Sequence, residues 1–270
     1  MSLTVRGVIE LLERWAPVSL AEEWDNCGFQ IGDPNAPVEC VAVGLDVSSG
    51  FLDFAKGVSA QMAVTHHPAI FSPLKTIDLS HPTTRLLAGF LRQGIALASF
   101  HTNLDSAKDG VNDILADLLG LEDTEALIPA SEPGLGLGRI GRLRQPQKGT
   151  EYIKFVSKQL NNTSLFYAGP LDGHLERAAL CGGSGSSLFE AALDRGAQVF
   201  VTGEVKHSVA RAAEEAGVLV IDAGHFHTEH PVVERLASYL ESCSARYDLG
   251  LRVEIYRQEA PALRPWTHPA

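Results

Sequence analysis

Apolar residues fall in short runs that alternate with stretches of helical periodicity. Val41-Ala42-Val43-Gly44-Leu45 leads through a small-residue turn into Phe51, Leu52, Phe54 and Ala55, spaced as on a helix. Met62-Ala63-Val64-Thr65 follows, then a helix over 83–93, then Ile95-Ala96-Leu97-Ala98. The order returns later, with Ala178-Ala179-Leu180, a helix over 188–195 and Val199-Phe200-Val201. A helix over 209–216 then stops at Gly217, before Val218-Leu219-Val220-Ile221. Strands that are apolar at successive positions and alternate with helices predict parallel sheets covered on both faces. The fold class is α/β. Two amphipathic helices flank these units: Val5, Val8, Ile9, Leu12 and Trp15 form one stripe, and Val232, Val233, Leu236, Ala237 and Leu240 another.

The two halves align with each other. At one constant offset Ser49 meets Ser186, Ala55 meets Ala192, Ala60-Gln61 meets Ala197-Gln198, and Thr65 meets Thr202, without a gap. An internal duplication predicts two α/β domains of related topology. The Gly- and Pro-rich stretch 129–146 reads as the junction between them. The expected division is 1–125 with 225–270 as the first domain and 126–224 as the second.

Composition narrows the class. A chain of 270 residues, 45% hydrophobic, has apolar material for two cores, and none of its runs is long enough to span a bilayer. The four cysteines (Cys27, Cys40, Cys181, Cys243) form no CxxC pair, which argues against a zinc ribbon or a disulfide framework. With no secretory signal read at the N-terminus, a cytoplasmic protein is expected. A net charge of −11 weighs against a nucleic-acid partner. The densest basic stretch, 139–148, reads as solvated surface.

The chemistry-bearing residues cluster where parallel α/β sheets place their ligands, beyond the carboxyl ends of strands. One run ends at Thr65-His66-His67-Pro68, another at His101-Thr102-Asn103-Leu104-Asp105, a third at Asp222-Ala223-Gly224-His225-Phe226-His227-Thr228-Glu229. Adjacent histidines on a regular strand face opposite ways, but at a strand end the chain turns, and Pro68 holds His67 extended. His101 and Asp105 are four apart, as are His225 and Glu229. Thr228 reads as an N-cap that puts Glu229 at a helix start, where a carboxylate is favourable without any metal. Capping does not explain why an imidazole accompanies each carboxylate. Imidazole and carboxylate donors without thiolate suit Zn, Mn, Fe, Co or Ni. The turn Gly182-Gly183-Ser184-Gly185 offers backbone N–H groups to a phosphate but lacks the Walker lysine.

The motifs EEWDNCGFQIGDP (22–34), GLDVS (44–48), VTHHPAIF (64–71), HTNLD (101–105), GRIGRL (138–143), GGSG (182–185), VTGEVKH (201–207) and DAGHFHTE (222–229) occur in order. In this the sequence resembles the Nif-three-like family, also called the GTP cyclohydrolase I type 2 homologue family. The resemblance implies a two-domain α/β subunit with two divalent metal ions per chain, held by His66, His67, Asp105, His225 and Glu229, with Glu229 as the bridge. It implies a toroidal homohexamer built as a trimer of dimers. It also implies metal-dependent hydrolysis of a small molecule, the family name pointing to C8 of GTP. His101, one helical turn before Asp105, reads either as a proton-carrying base or as a buried, hydrogen-bonded histidine. A non-catalytic metal carrier or hexameric scaffold is the alternative. Trp24, Asp25 and Asn26 belong to a family motif without a chemical role that the sequence discloses.

Overall fold

A computed structural model describes residues 3–266. The elements run α1 (Val5–Glu13), β1 (Gly28–Ile31), β2 (Cys40–Gly44), α2 (Ser49–Gly57), β3 (Met62–Thr65), α3 (Pro82–Arg92), β4 (Ala96–Ser99) and α4 (Thr102–Ser106). They continue with α5 (Val111–Leu118), β5 (Leu121–Pro129), β6 (Gly136–Lys148), α6 (Gly149–Gln159), β7 (Phe166–Ala168), β8 (His174–Cys181), α7 (Phe189–Asp194) and β9 (Val199–Thr202). The last are α8 (His207–Ala216), β10 (Leu219–Asp222), α9 (His225–Glu229), α10 (Pro231–Tyr247) and β11 (Arg252–Ile255). Among the described residues no helix is long and apolar enough to cross a membrane.

The chain divides into two compact units. The first comprises Met1–Ala107 and Val232–Glu259, with a five-stranded sheet in the order β1-β4-β3-β2-β11. β2, β3, β4 and β11 are parallel, and β1 caps the β4 edge antiparallel. Every residue of β2, β3 and β4 is buried, as the continuous apolar runs require. One face packs Ala42, Ala63 and Leu97 against Phe51 and Ala55 of α2 and Phe90 of α3. Ser48 starts α2 by accepting from Phe51 N at 3.1 Å.

The second unit carries a six-stranded sheet, β5-β6-β8-β9-β10-β7, in which β8, β9 and β10 are parallel. Its pairing repeats that of the first sheet. Val41 lies opposite Met62 and Gly44 opposite Thr65; at the aligned positions Ala178 lies opposite Val199 and Cys181 opposite Thr202. β7 caps β10 antiparallel as β1 caps β4. Gly217 ends α8 in the left-handed region, at φ 68°, so the C-terminal stop read from the sequence is present.

Three expectations are corrected. The division falls after Ala107 rather than after residue 125, because Leu115, Ala116 and Leu119 of the α5 region pack into the second core with Leu143, Tyr152 and Val156. It falls again after Pro231 rather than after 224, so α9 belongs to the second unit; residues 267–270 lie outside the described residues. The Gly- and Pro-rich stretch is not a junction but largely β6, paired antiparallel with both β5 and β8. Its glycines admit close neighbours: a Cβ at Gly141 would lie 2.6 Å from the Glu122 carbonyl oxygen. Finally, Arg139 is not solvated. It is buried, donating to the Gly136 and Gly138 carbonyls at 2.7 and 2.8 Å and pairing with Asp113.

Candidate metal centre

In the first unit β3 stops at Thr65, and the Thr65 hydroxyl donates to the His67 carbonyl at 2.8 Å. Ser99, the last residue of β4, donates to the same carbonyl at 3.2 Å. This folds the chain back at once, so His66 and His67 lie with ring centroids 4.9 Å apart instead of on opposite faces. His101, directly before α4, completes a group in which one donor atom of each imidazole lies within 4.8 Å of the others. Asp105, one helical turn further on, brings Oδ1 to 3.7 Å from His66 Nε2. His66 is fully buried and the other two imidazoles partly so.

Each ring is held from behind. His66 Nδ1 lies 2.8 Å from the Phe100 carbonyl oxygen, His67 Nδ1 2.7 Å from Asp46 Oδ1, and His101 Nδ1 2.9 Å from Asp25 Oδ1. A carbonyl or an ionised carboxylate only accepts, so Nδ1 donates in every case and the neutral ring keeps its lone pair on Nε2. Asp46 is placed in turn by Glu259, whose carboxylate accepts from Leu45 N and Asp46 N at 2.8 and 2.7 Å. Burial raises the Glu259 pKa, and these two backbone bonds offset part of that rise.

Asp25 is the most connected of these carboxylates. Its side chain is shielded from solvent, and Oδ2 accepts from Thr102 N, the Thr102 hydroxyl and the Cys27 thiol. Burial alone would raise its pKa. Hydrogen bonds from His101, Cys27 and Thr102 outweigh that and hold it well below the usual carboxylate range.

The second unit repeats the pattern beyond β10. His225 Nδ1 lies 2.8 Å from Glu204 Oε1, and Nε2 lies 2.9 Å from Glu229 Oε2. Glu229 is buried against the Gly182-Gly183 turn. Gly183 has φ +60°, and a Cβ there would collide with the Glu229 carboxylate, so glycine is required both by conformation and by space. Thr228 is not an N-cap. α9 starts at His225, and the Thr228 hydroxyl sits inside it, donating toward the Gly224 and His225 carbonyls and accepting from Gly183 N at 3.0 Å. The phosphate-cradle reading of this turn fails, because Gly182 N donates to Asn112, Gly183 N to Thr228 and Gly185 N to Thr202.

Imidazoles grouped with carboxylates and backed by a carbonyl or a second carboxylate form a donor set that could hold an N/O-ligated divalent cation. Sequence reasoning found His66, His67, His101, Asp105, His225 and Glu229 but missed Asp25, Asp46, Glu204 and Glu259. One signal was present: the internal repeat aligns Glu204 with His67.

Fold and side chains together define a two-unit α/β protein with histidine–carboxylate groups of metal-binding type at its strand ends. The Duf34/NIF3 (NGG1p interacting factor 3) family profile matches residues 3–261, and the chain belongs to that family. It is 33% identical over 257 residues to the "GTP cyclohydrolase 1 type 2 homolog" of Clostridium acetobutylicum, covering 94% of this chain and 95% of the relative. In fold it is similar to a Bacillus cereus protein related to NIF3, with TM-score 0.92 at 24% identity over 97% of this chain and 99% of that one. It is also similar to reduced HcgD from Methanocaldococcus jannaschii, with TM-score 0.79 at 28% identity over 94% and 98%.

Proposed function

We propose that the chain is a dinuclear metal-dependent hydrolase acting on a purine or a related electrophile. The observation that carries this reading is the common locking of His66, His67, His101 and His225, each with Nδ1 held by an oxygen, which makes Nε2 the ring nitrogen suited to a metal. The proposed ligands are His66, His67 and Asp105 of the first unit and His225 and Glu229 of the second. Divalent ions held by these residues would supply Lewis-acid polarisation of the electrophile and a lowered pKa for water.

The chain's own residues then do the following. Asp46 and Glu204 fix the tautomer and direction of His67 and His225. His101 takes up at Nε2 a proton from the attacking water, and Asp25, ionised at neutral pH, stabilises the imidazolium through Nδ1. His101 thereafter returns that proton to the leaving group. We extend the proposal to assembly as a homohexamer, read as a hexameric mass by light scattering.

The test is elemental analysis of protein purified without chelator, followed by assay of GTP turnover and formate release with the metals found. About two ions per chain with turnover that is lost in His66→Ala supports the reading. Stoichiometric metal without turnover on any purine would transfer the site to metal carriage. No metal after reconstitution would remove the site altogether.

A further inference from the structure

Trp24 and Phe71 stand exposed, at 58% and 52% of their surface, although the cores bury other aromatic rings such as Phe51, Phe90 and Tyr152. Their ring centroids are 5.6 Å apart with planes tilted by 44°. The His101 ring lies against both, 6.1 Å from Trp24 and 6.4 Å from Phe71, at 74° and 66°. An exposed aromatic pair beside three clustered imidazoles is not surplus core material.

The pair is built, not incidental. Trp24 precedes β1 and Phe71 follows β3, and the two loops are stitched together. Asn26 Nδ2 donates to the Ile70 carbonyl at 2.6 Å, Gln30 Oε1 accepts from Ile70 N at 3.1 Å, and Gln30 Nε2 donates to the Asn26 carbonyl at 2.6 Å. Asp25, next to Trp24, is pinned to the start of α4 through Thr102. The loops that carry both rings are therefore tied together before any ligand arrives, which lowers the entropic cost of ordering them on binding. This gives the Trp24-Asp25-Asn26 motif one purpose per residue: Trp24 presents a face, Asp25 sets His101, and Asn26 secures the loop that carries Phe71.

We propose that Trp24 and Phe71 form a stacking platform that receives a planar heteroaromatic ring at the edge of the histidine cluster. A flat π-face is what an exposed, pre-set indole recognises best. A ring with nitrogen at its rim, rather than a hydrocarbon, suits a border of imidazoles and carboxamides. The inference rests on the hydrolase reading in so far as it makes this ring part of the substrate.

The experiment titrates GTP, and in parallel ribose 5-triphosphate, which lacks the base, into metal-loaded and into chelator-treated protein by calorimetry. The expected result is tighter binding of GTP than of ribose 5-triphosphate. Trp24→Leu and Phe71→Leu each weaken GTP by at least about tenfold, as loss of one stacked ring does. They leave ribose 5-triphosphate binding and metal content unchanged, and Trp24→Phe keeps GTP binding near wild type. No GTP binding, or equal GTP affinity in wild type and Trp24→Leu, overturns the platform. So does a Trp24 that acrylamide cannot quench in the native assembly, read as the difference between wild type and Trp24→Phe, since another chain then covers the pair. Failure of the hydrolase reading shows separately, as absent metal or absent turnover, because the stacking comparison is read in chelator-treated protein as well.

Discussion

Asp25 accepts a hydrogen bond from His101 Nδ1 at 2.9 Å with one oxygen and, with the other, gathers Thr102 and Cys27. A single buried carboxylate thus sets the tautomer of the proposed proton carrier and fixes the start of α4. Asp25→Asn keeps the shape and removes the charge, at a cost of about 1–3 kcal/mol for a buried charged acceptor. The folded-state pKa of Asp25 lies below its unfolded value. Its contribution is therefore present above about pH 4, where the unfolded carboxylate is also ionised, and is lost as the pH falls toward the folded pKa. Thermal melts across pH should show the variant less stable than wild type at pH 6–8, with the gap narrowing below pH 4. A gap that stays constant down to the most acid condition tolerated would refute the assignment.

Gln61 and Gln198 supply a second test, of the duplication. Gln61 Oε1 accepts from Glu39 N and Cys40 N, both at 2.9 Å; Gln198 Oε1 accepts from Glu176 N and Arg177 N at 2.7 and 3.0 Å. Gln61 caps the entry of β2, and Gln198 binds within β8, each just before the parallel pairing at Val41 and Ala178 begins. Gln61→Leu and Gln198→Leu should each lower stability by about 1–2 kcal/mol, because two backbone donors lose their acceptor and only partly recover it from water. Gln→Glu at either position keeps the acceptor and should cost clearly less. Chemical denaturation measures both, and a neutral Leu variant at either site would deny that glutamine its structural role.

How much of this was legible is clearest at β3 and β6. The run Met62-Ala63-Val64-Thr65 gave β3 its bounds, because a strand buried on both faces has no polar positions to blur its ends. The shared Ala-Gln pairs foretold the common register of β2–β3 and β8–β9. The i, i+4 spacing of His101 with Asp105 and of His225 with Glu229 matched the short helical turns α4 and α9, the second of which brings His225 Nε2 to 2.9 Å from Glu229 Oε2. β6 was misread because its glycines serve close approach to β5 and β8, not chain flexibility. The partners behind the imidazoles were hidden by distance along the chain: Asp25 lies 76 residues from His101, and Glu259 lies 214 from Leu45. No local pattern encodes such pairs.

Gly183 should be intolerant of any side chain. Its φ of +60° and its contact with the Glu229 carboxylate mean that Gly183→Ala must strain the turn and displace Glu229. A loss of about 1 kcal/mol or more in stability follows from the backbone alone. If Glu229 is a ligand, metal content measured on the folded variant also falls. Gly57→Ala is the control: nothing lies within 4 Å of its Cβ, it sits at the end of α2, and it should be neutral or slightly stabilising. Full metal content in Gly183→Ala would remove Glu229 from the ligand set.

Cys27 is the half-buried member of the cysteines, yet it should be the wrong thiol to look for in reactivity. Burial pushes its pKa up, and the neighbouring Asp25 carboxylate, 3.0 Å from Sγ, pushes it further, to about 11. At pH 8 only about one thiol in a thousand is then ionised, against about one in ten for a thiol of pKa 9, and the thiolate is the nucleophile. The sign for stability follows: the protonated thiol is favoured in the fold, so its contribution holds below about pH 9 and disappears as the pH rises through 11. Iodoacetamide labelling of native protein at pH 8, read by mass spectrometry at Cys27, should be slow and should accelerate in Asp25→Asn, where the repelling charge is gone. Rapid labelling of the wild type would mean that Asp25 does not hold the thiol proton, and the hydrogen-bond network behind His101 would need to be redrawn.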